Sequence, residues 1–287
     1  MKKIIDKMTS INIFPKVKLF LALSLEILIA CNTSSFEKNY RQGLECFEKK
    51  QYNESVEYFN KAIDKKNDNP DIYVNRGVAK NYMKDFEGAL RDFDIAIKLT
   101  PNNSRYFVNR GYAKENSGNI DGALKDYNSA ILLDSANAEA YNNRGLLKRN
   151  CRDYKDAISD FDRAINIDSS FAIAYNNRGT VKEYYENYGD AVIDYNKSIA
   201  LDPKSHLFYF NRAVSEFYLK NFESALNDLN IAISLDGQNG YYYHNRALLY
   251  YKIGNIQKAC QDINKAISLG NKDSQKYLNQ ICGNSSI

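Results

Sequence analysis

From residue 36 onward, apolar and polar positions return at a fixed interval of 34 residues. Asn-Arg-Gly stands at 75–77, 109–111, 143–145 and 177–179, and Asn-Arg-Ala follows at 211–213 and 245–247. One interval earlier lies Arg41-Gln42-Gly43, so a divergent first unit begins near Phe36 and seven units fill residues 36–273. With places counted from 1 in each unit, place 4 is aromatic in six units and place 8 is Gly or Ala in all. Place 20 is small (Ser55, then Ala89 through Ala259), place 24 is large (Phe59 through Ile263), and place 28 is Ile throughout. Spacings of three, four and seven within each half predict two amphipathic helices per unit. Small residues at places 8 and 20 let two helix axes approach, and large ones at 4 and 24 fill the space between hairpins. No such unit buries its own apolar face, so the units must stack.

This pattern resembles the tetratricopeptide repeat over residues 36–273. The resemblance implies an all-α, right-handed superhelical solenoid of seven helix-turn-helix repeats. After Gly270, the pattern Tyr277, Leu278, Ile281 predicts a short capping helix within 274–287. The family further implies a concave groove lined by places 2, 5, 9, 12 and 13, in which a partner segment docks. Three departures stand out: Lys80, Lys114, Lys148 and Lys182 replace an aromatic at place 11, Arg replaces Leu at place 7, and the Pro of place 32 survives only at Pro101 and Pro203.

The arginines have matching carboxylates. Arg76, Arg110, Arg144, Arg178, Arg212 and Arg246 are each followed sixteen residues later by Asp92, Asp126, Asp160, Asp194, Asp228 and Asp262. A hairpin turning near place 15 sets the two at equal height, so they read as ion pairs lacing helix A to helix B. The functional alternative is an arginine ladder offered to an anionic ligand. Asn75, Asn109, Asn143, Asn177, Asn211 and Asn245, at place 6, read either as a row of groove amides for a peptide backbone or as solvated consensus residues. In the last two units the groove places turn apolar: Phe210, Phe217, Tyr218, Tyr241, His244 and Tyr251 are the candidate partner-binding residues. The rival reading is that the capping helix or adjacent turns cover them.

The N-terminus differs in kind. Five lysines precede an apolar stretch from Leu19 to Ala30, and Leu28-Ile29-Ala30-Cys31 resembles the lipobox of bacterial lipoproteins. A stretch of twelve residues, with Glu26 inside it, falls short of the roughly 20 that span a bilayer, so 1–30 reads as a signal peptide. The resemblance implies lipidation of Cys31, a tether at 31–35, and an exported, membrane-anchored protein of the cell envelope. Without residues 1–30 the chain holds 34 basic and 33 acidic side chains, against 39 and 35 before, so no basic face remains for nucleic acid. Cys260 and Cys282 read as either a bridge or two reduced thiols, since export to an oxidising space permits a bond. With only His206 and His244, no Gly-rich phosphate loop and no readable nucleophile pair, neither a metal, a cofactor nor catalysis is expected. The residues therefore point to a non-enzymatic protein–protein interaction scaffold taking a protein or peptide ligand. A carbohydrate or cell-wall binder and an envelope assembly subunit are the alternatives.

Overall fold

The computed structural model describes residues 35–66 and 68–283. The expected signal peptide and lipobox, with Cys31 and most of the expected tether, lie outside the described residues. What is described is all-helical, with helices paired in antiparallel hairpins, and it divides into two compact units at Ile167 and Asp168. The first holds four hairpins: α1 (Ser35–Glu48) with α2 (Tyr52–Ile63), α3 (Pro70–Tyr82) with α4 (Phe86–Leu99), α5 (Ser104–Asn116) with α6 (Ile120–Leu133), and α7 (Ala138–Asn150) with α8 (Tyr154–Ile167). The second holds three: α9 (Ala172–Tyr184) with α10 (Tyr188–Leu201), α11 (His206–Tyr218) with α12 (Phe222–Leu235), and α13 (Gly240–Lys252) with α14 (Ile256–Ser268). Among the described residues no helix is long and apolar enough to cross a membrane.

The turn chemistry explains the hairpins. Place 15 adopts a left-handed conformation in every repeat, including Lys84 and Arg152, with φ of 64° and 67°. The next amide then bonds back five residues, as Asp85 N–H does to the Lys80 carbonyl at 2.9 Å, which ends helix A. The residue at place 16 starts helix B at once: Asp85, Asn119 and Asn255 accept from the amides of Gly88, Gly122 and Lys258.

Within each hairpin, place 8 meets place 24. A Cβ added at Gly145 would stand 2.8 Å from the Phe161 ring, and Gly77, Gly111 and Gly179 sit as tightly against Phe93, Tyr127 and Tyr195. Where place 24 is aliphatic, in Leu229 and Ile263, place 8 accepts a methyl group, in Ala213 and Ala247. The place-24 side chains are thus the keystone inside each hairpin rather than a filler between hairpins, and Phe59, Tyr127, Phe161, Tyr195 and Ile263 are fully buried.

The second unit ends in a cap. A 3-10 turn (Lys272–Tyr277) leads into α15 (Leu278–Cys282). Tyr277, Leu278 and Ile281 pack against Ala247, Tyr250, Ala259 and Ile263. Tyr277 and Asn279 fall 34 residues after Tyr243 and Asn245, so the cap occupies the places that open a helix A.

Candidate functional site

The charged places form one repeated cluster. Each Arg at place 7 donates Nε to its Asp at 2.7–3.0 Å, and a second nitrogen to the other carboxylate oxygen. The guanidinium lies over the place-4 aromatic at 5.3–5.8 Å, Arg110 on Phe107 and Arg212 on Tyr209 marking the limits. In Arg76, Arg110, Arg144, Arg212 and Arg246 the remaining nitrogen reaches the preceding hairpin, as Arg144 does to Asn128 and Arg246 to Asn230, both at 2.7 Å. Lys80, Lys114, Lys148 and Lys182 complete the cluster, with Nζ 2.8–2.9 Å from Asp92, Asp126, Asp160 and Asp194. These aspartates are buried, and the Asp126 bond lifts the Arg110 guanidinium further above its ordinary range. Both oxygens of each carboxylate are engaged from within, so the cluster binds helix A to helix B. The lysines were visible as departures from the family pattern. Their meaning was legible in the four-residue step from Arg76 to Lys80, which puts both cations on the face that meets Asp92.

The asparagine row is also drawn inward, which corrects its reading as groove lining. Asn75, Asn143 and Asn177 are buried. Asn75 donates to the Tyr40 hydroxyl and Asn211 to Asn176 Oδ1, each at 2.8 Å and across 35 residues. Adjacent A helices thus meet with place 6 of one against place 5 of its predecessor. Where place 5 is apolar the amide turns elsewhere: Asn245, facing Phe210's helix, donates to its own Tyr241 carbonyl. Asn143 accepts from Asn142, and Asn109 is half-buried.

Two of the candidate docking side chains move for the same reason. Phe210 is 5% exposed against Tyr242, with ring centroids 5.0 Å apart, and His244 is fully buried, its Nδ1 2.8 Å from Ser274 Oγ beneath the cap. Burial holds that imidazole down at a pKa of about 4. Place 5 is an inter-repeat contact, so neither residue faces a ligand. Phe217, Tyr218, Tyr241 and Tyr251 are half-buried, beside Leu207, Val214 and Leu248 on the same helices. Tyr218 stacks on Tyr188 at 4.6 Å, and Phe217 leans on Phe222 at 5.7 Å. Tyr184 and Tyr185 are more exposed. The groove places of α9, α11 and α13 are therefore mostly aromatic and aliphatic, with Glu183 buried and Lys252 exposed at the end of α13.

Glu183 accepts from the Tyr195 hydroxyl at 3.0 Å, and burial pushes its carboxyl up to about 8. Glu115 holds the same place in the first unit and accepts from Tyr127 at 3.0 Å. There Arg149 and Asn150 oppose the effect of burial. Sequence reading passed over this pairing, although Glu stands at place 12 only where Tyr stands at place 24. Cys260 and Cys282 are joined by a disulfide, with Cα atoms 5.2 Å apart. Among the described residues, no group of three or more His, Cys, Asp and Glu is placed to hold a metal ion.

Tetratricopeptide-repeat family profiles match residues 43–84, 116–148, 138–171 and 240–273. With the helix pairing above, they show tetratricopeptide repeats over these residues. Three solved structures carry the same fold. A tetratricopeptide repeat protein from Parabacteroides merdae is 22% identical, with 86% of this chain and 98% of that one covered and a TM-score of 0.62. Pseudomonas aeruginosa pilF is 18% identical over 74% and 97%, with a TM-score of 0.66. YrrB, a tetratricopeptide protein with an unusual peptide-binding site, is 20% identical over 66% and 97%, with a TM-score of 0.53. No curated protein matches the sequence.

Proposed function

We propose that the protein is a membrane-anchored docking scaffold that holds an uncharged, apolar segment of a partner protein against the α9–α11–α13 face. The tetratricopeptide fold supports the scaffold class, since such arrays act by binding proteins. One observation carries the finer reading: Leu207, Val214, Phe217, Tyr218, Tyr241, Leu248 and Tyr251 keep part of their surface in solvent where the corresponding face of the first unit shows Arg105, Glu139, Arg149 and Asn150. Half-exposed aromatics that already stack on one another lose little freedom on binding, which suits them to hot spots.

An immobilised peptide library graded by charge and apolar content tests this. Binding concentrates on uncharged aromatic or aliphatic peptides, and Phe217→Ala and Tyr251→Ala each weaken it at least fivefold while the thermal midpoint stays nearly unchanged. Normal binding by both variants, or unfolding of both, refutes the reading. The anchor rests on Leu28-Ile29-Ala30-Cys31 and is tested apart: Cys31→Ala abolishes acyl labelling and releases the protein to the soluble fraction. Unchanged labelling or retention overturns it.

A further inference from the structure

The cap fits the face it covers imperfectly. His244 Nε2 and Asn271 Nδ2 are buried beneath it with no hydrogen-bond partner among the described residues. Elsewhere that same lateral position is satisfied, because the Asn of the next helix A reaches back across 35 residues, as Asn211 does to Asn176. Asn279 stands 35 residues after His244 but is exposed and forms no such bond. Its helix has five residues and follows a 3-10 turn, so it cannot lie along α13 as a full helix A does. The small residue of place 8 is Ile281 in the cap, and it fills the space over Ala247, Ala259 and Ile263 instead. This packing and the Cys260–Cys282 bond, which closes 22 residues, hold the short segment in place. Beside it opens a cleft of about 600 Å³ lined by Tyr251, Gln257, Gln261, Asn264 and Gln280, and Cys260 itself lines that cleft.

We propose that the α13–α14 end face is a second docking surface, which adjoins the α9–α11–α13 face at Tyr251. Its occupant is an amphipathic partner helix of the repeat's own helix-A kind, an aromatic residue followed two positions later by Asn, and the disulfide is the latch that keeps the cap in its place. Tyr277, whose ring lies 5.4 Å from that of His244, shows what the face accepts, and the unpartnered His244 nitrogen, which the exposed Asn279 does not reach, shows what a full-length helix adds. A dithiol opens the latch: its two thiols give two electrons and two protons, the Cys260–Cys282 bond breaks to two thiols, and the reductant closes to its own disulfide. A second copy of this chain is a poor occupant. Its α1 carries exposed Lys38 and Glu45 at places 3 and 10, where the next repeat buries Ile72 and Ala79 completely.

The probe is a fluorescent synthetic peptide of residues 204–220, which contains Tyr209 and Asn211. It is titrated into the full chain oxidised, reduced with dithiothreitol, and as Cys282→Ser, with amide exchange followed over 272–282. The reduced and Cys282→Ser proteins lose protection over the cap and bind the peptide at least tenfold more tightly than the oxidised protein, and Asn211→Ala in the peptide weakens it at least fivefold. A cap that stays protected in Cys282→Ser, or a freed cap with no binding above a scrambled peptide, overturns the proposal. Should reduction unfold the chain, Ile281→Asp removes the cap's anchor with the bond intact, and failure of that variant to bind refutes it equally.

Discussion

Glu183→Gln makes the second unit more stable at neutral pH, and the structure sets the size of the gain. The carboxyl is 5% exposed, receives one hydroxyl from Tyr195, and has Phe217 where the matching Glu115 has Arg149. With no cation at hand, burial lifts its pKa from 4.5 to about 8. The folded state therefore keeps a proton that the unfolded chain releases. Its contribution is complete below about pH 4.5, shrinks as the pH rises, and is exhausted as the pH passes 8. At about 1.4 kcal/mol per unit, the 2.5 units between 4.5 and pH 7 amount to roughly 3 kcal/mol. Glutamine keeps an oxygen for Tyr195 and has no proton to lose. Repeat arrays need not unfold in one step, so urea titrations are paired with amide exchange in α9, α10 and α11. The gap between variant and parent is near zero at pH 4.5 and opens to roughly 3 kcal/mol by pH 7. Glu115→Gln, with Arg149 and Asn150 beside the carboxyl, gives a smaller gap. Parallel curves for Glu183→Gln and parent across this range, or a variant weaker than the parent at pH 7, refute the account.

Asp160→Ala strips the partner from both Arg144 and Lys148 and costs about 3–5 kcal/mol, measured as lost protection in α7 and α8. An effect below about 1 kcal/mol would mean that the cluster behaves as an exposed surface pair. Gly145→Ala drives a methyl group into the Phe161 ring and costs about 1–3 kcal/mol. Phe161→Leu in the same chain recovers part of it, as the natural Ala213–Leu229 pair implies, and urea midpoints of the single and double variants decide. His244, held neutral by burial at a pKa of about 4 against 6.5, supports the second unit above pH 6.5 and loses that support as the pH falls to 4. His244→Phe therefore flattens the acid limb between those values, read as exchange over 272–282; an unchanged acid limb contradicts it.

The 34-residue recurrence alone determined helix pairing, the repeat number and the Arg–Asp lacing, because each depends on short-range geometry that every unit repeats. A residue sixteen places past another across a tight hairpin has one place to be. Tertiary structure decided what lies between repeats. Asn75 and Asn211 looked available along a single helix, and only the neighbouring helix, offset by 35 residues, shows their amides spent. Phe210 and His244 sank for the same reason, since place 5 of one repeat lies beneath the next repeat or the cap. Glu183 needed the third dimension most. Its environment is set by which residue follows 34 positions later, Phe217 rather than an arginine, and desolvation is a property of all the atoms packed around a group, which no local pattern states.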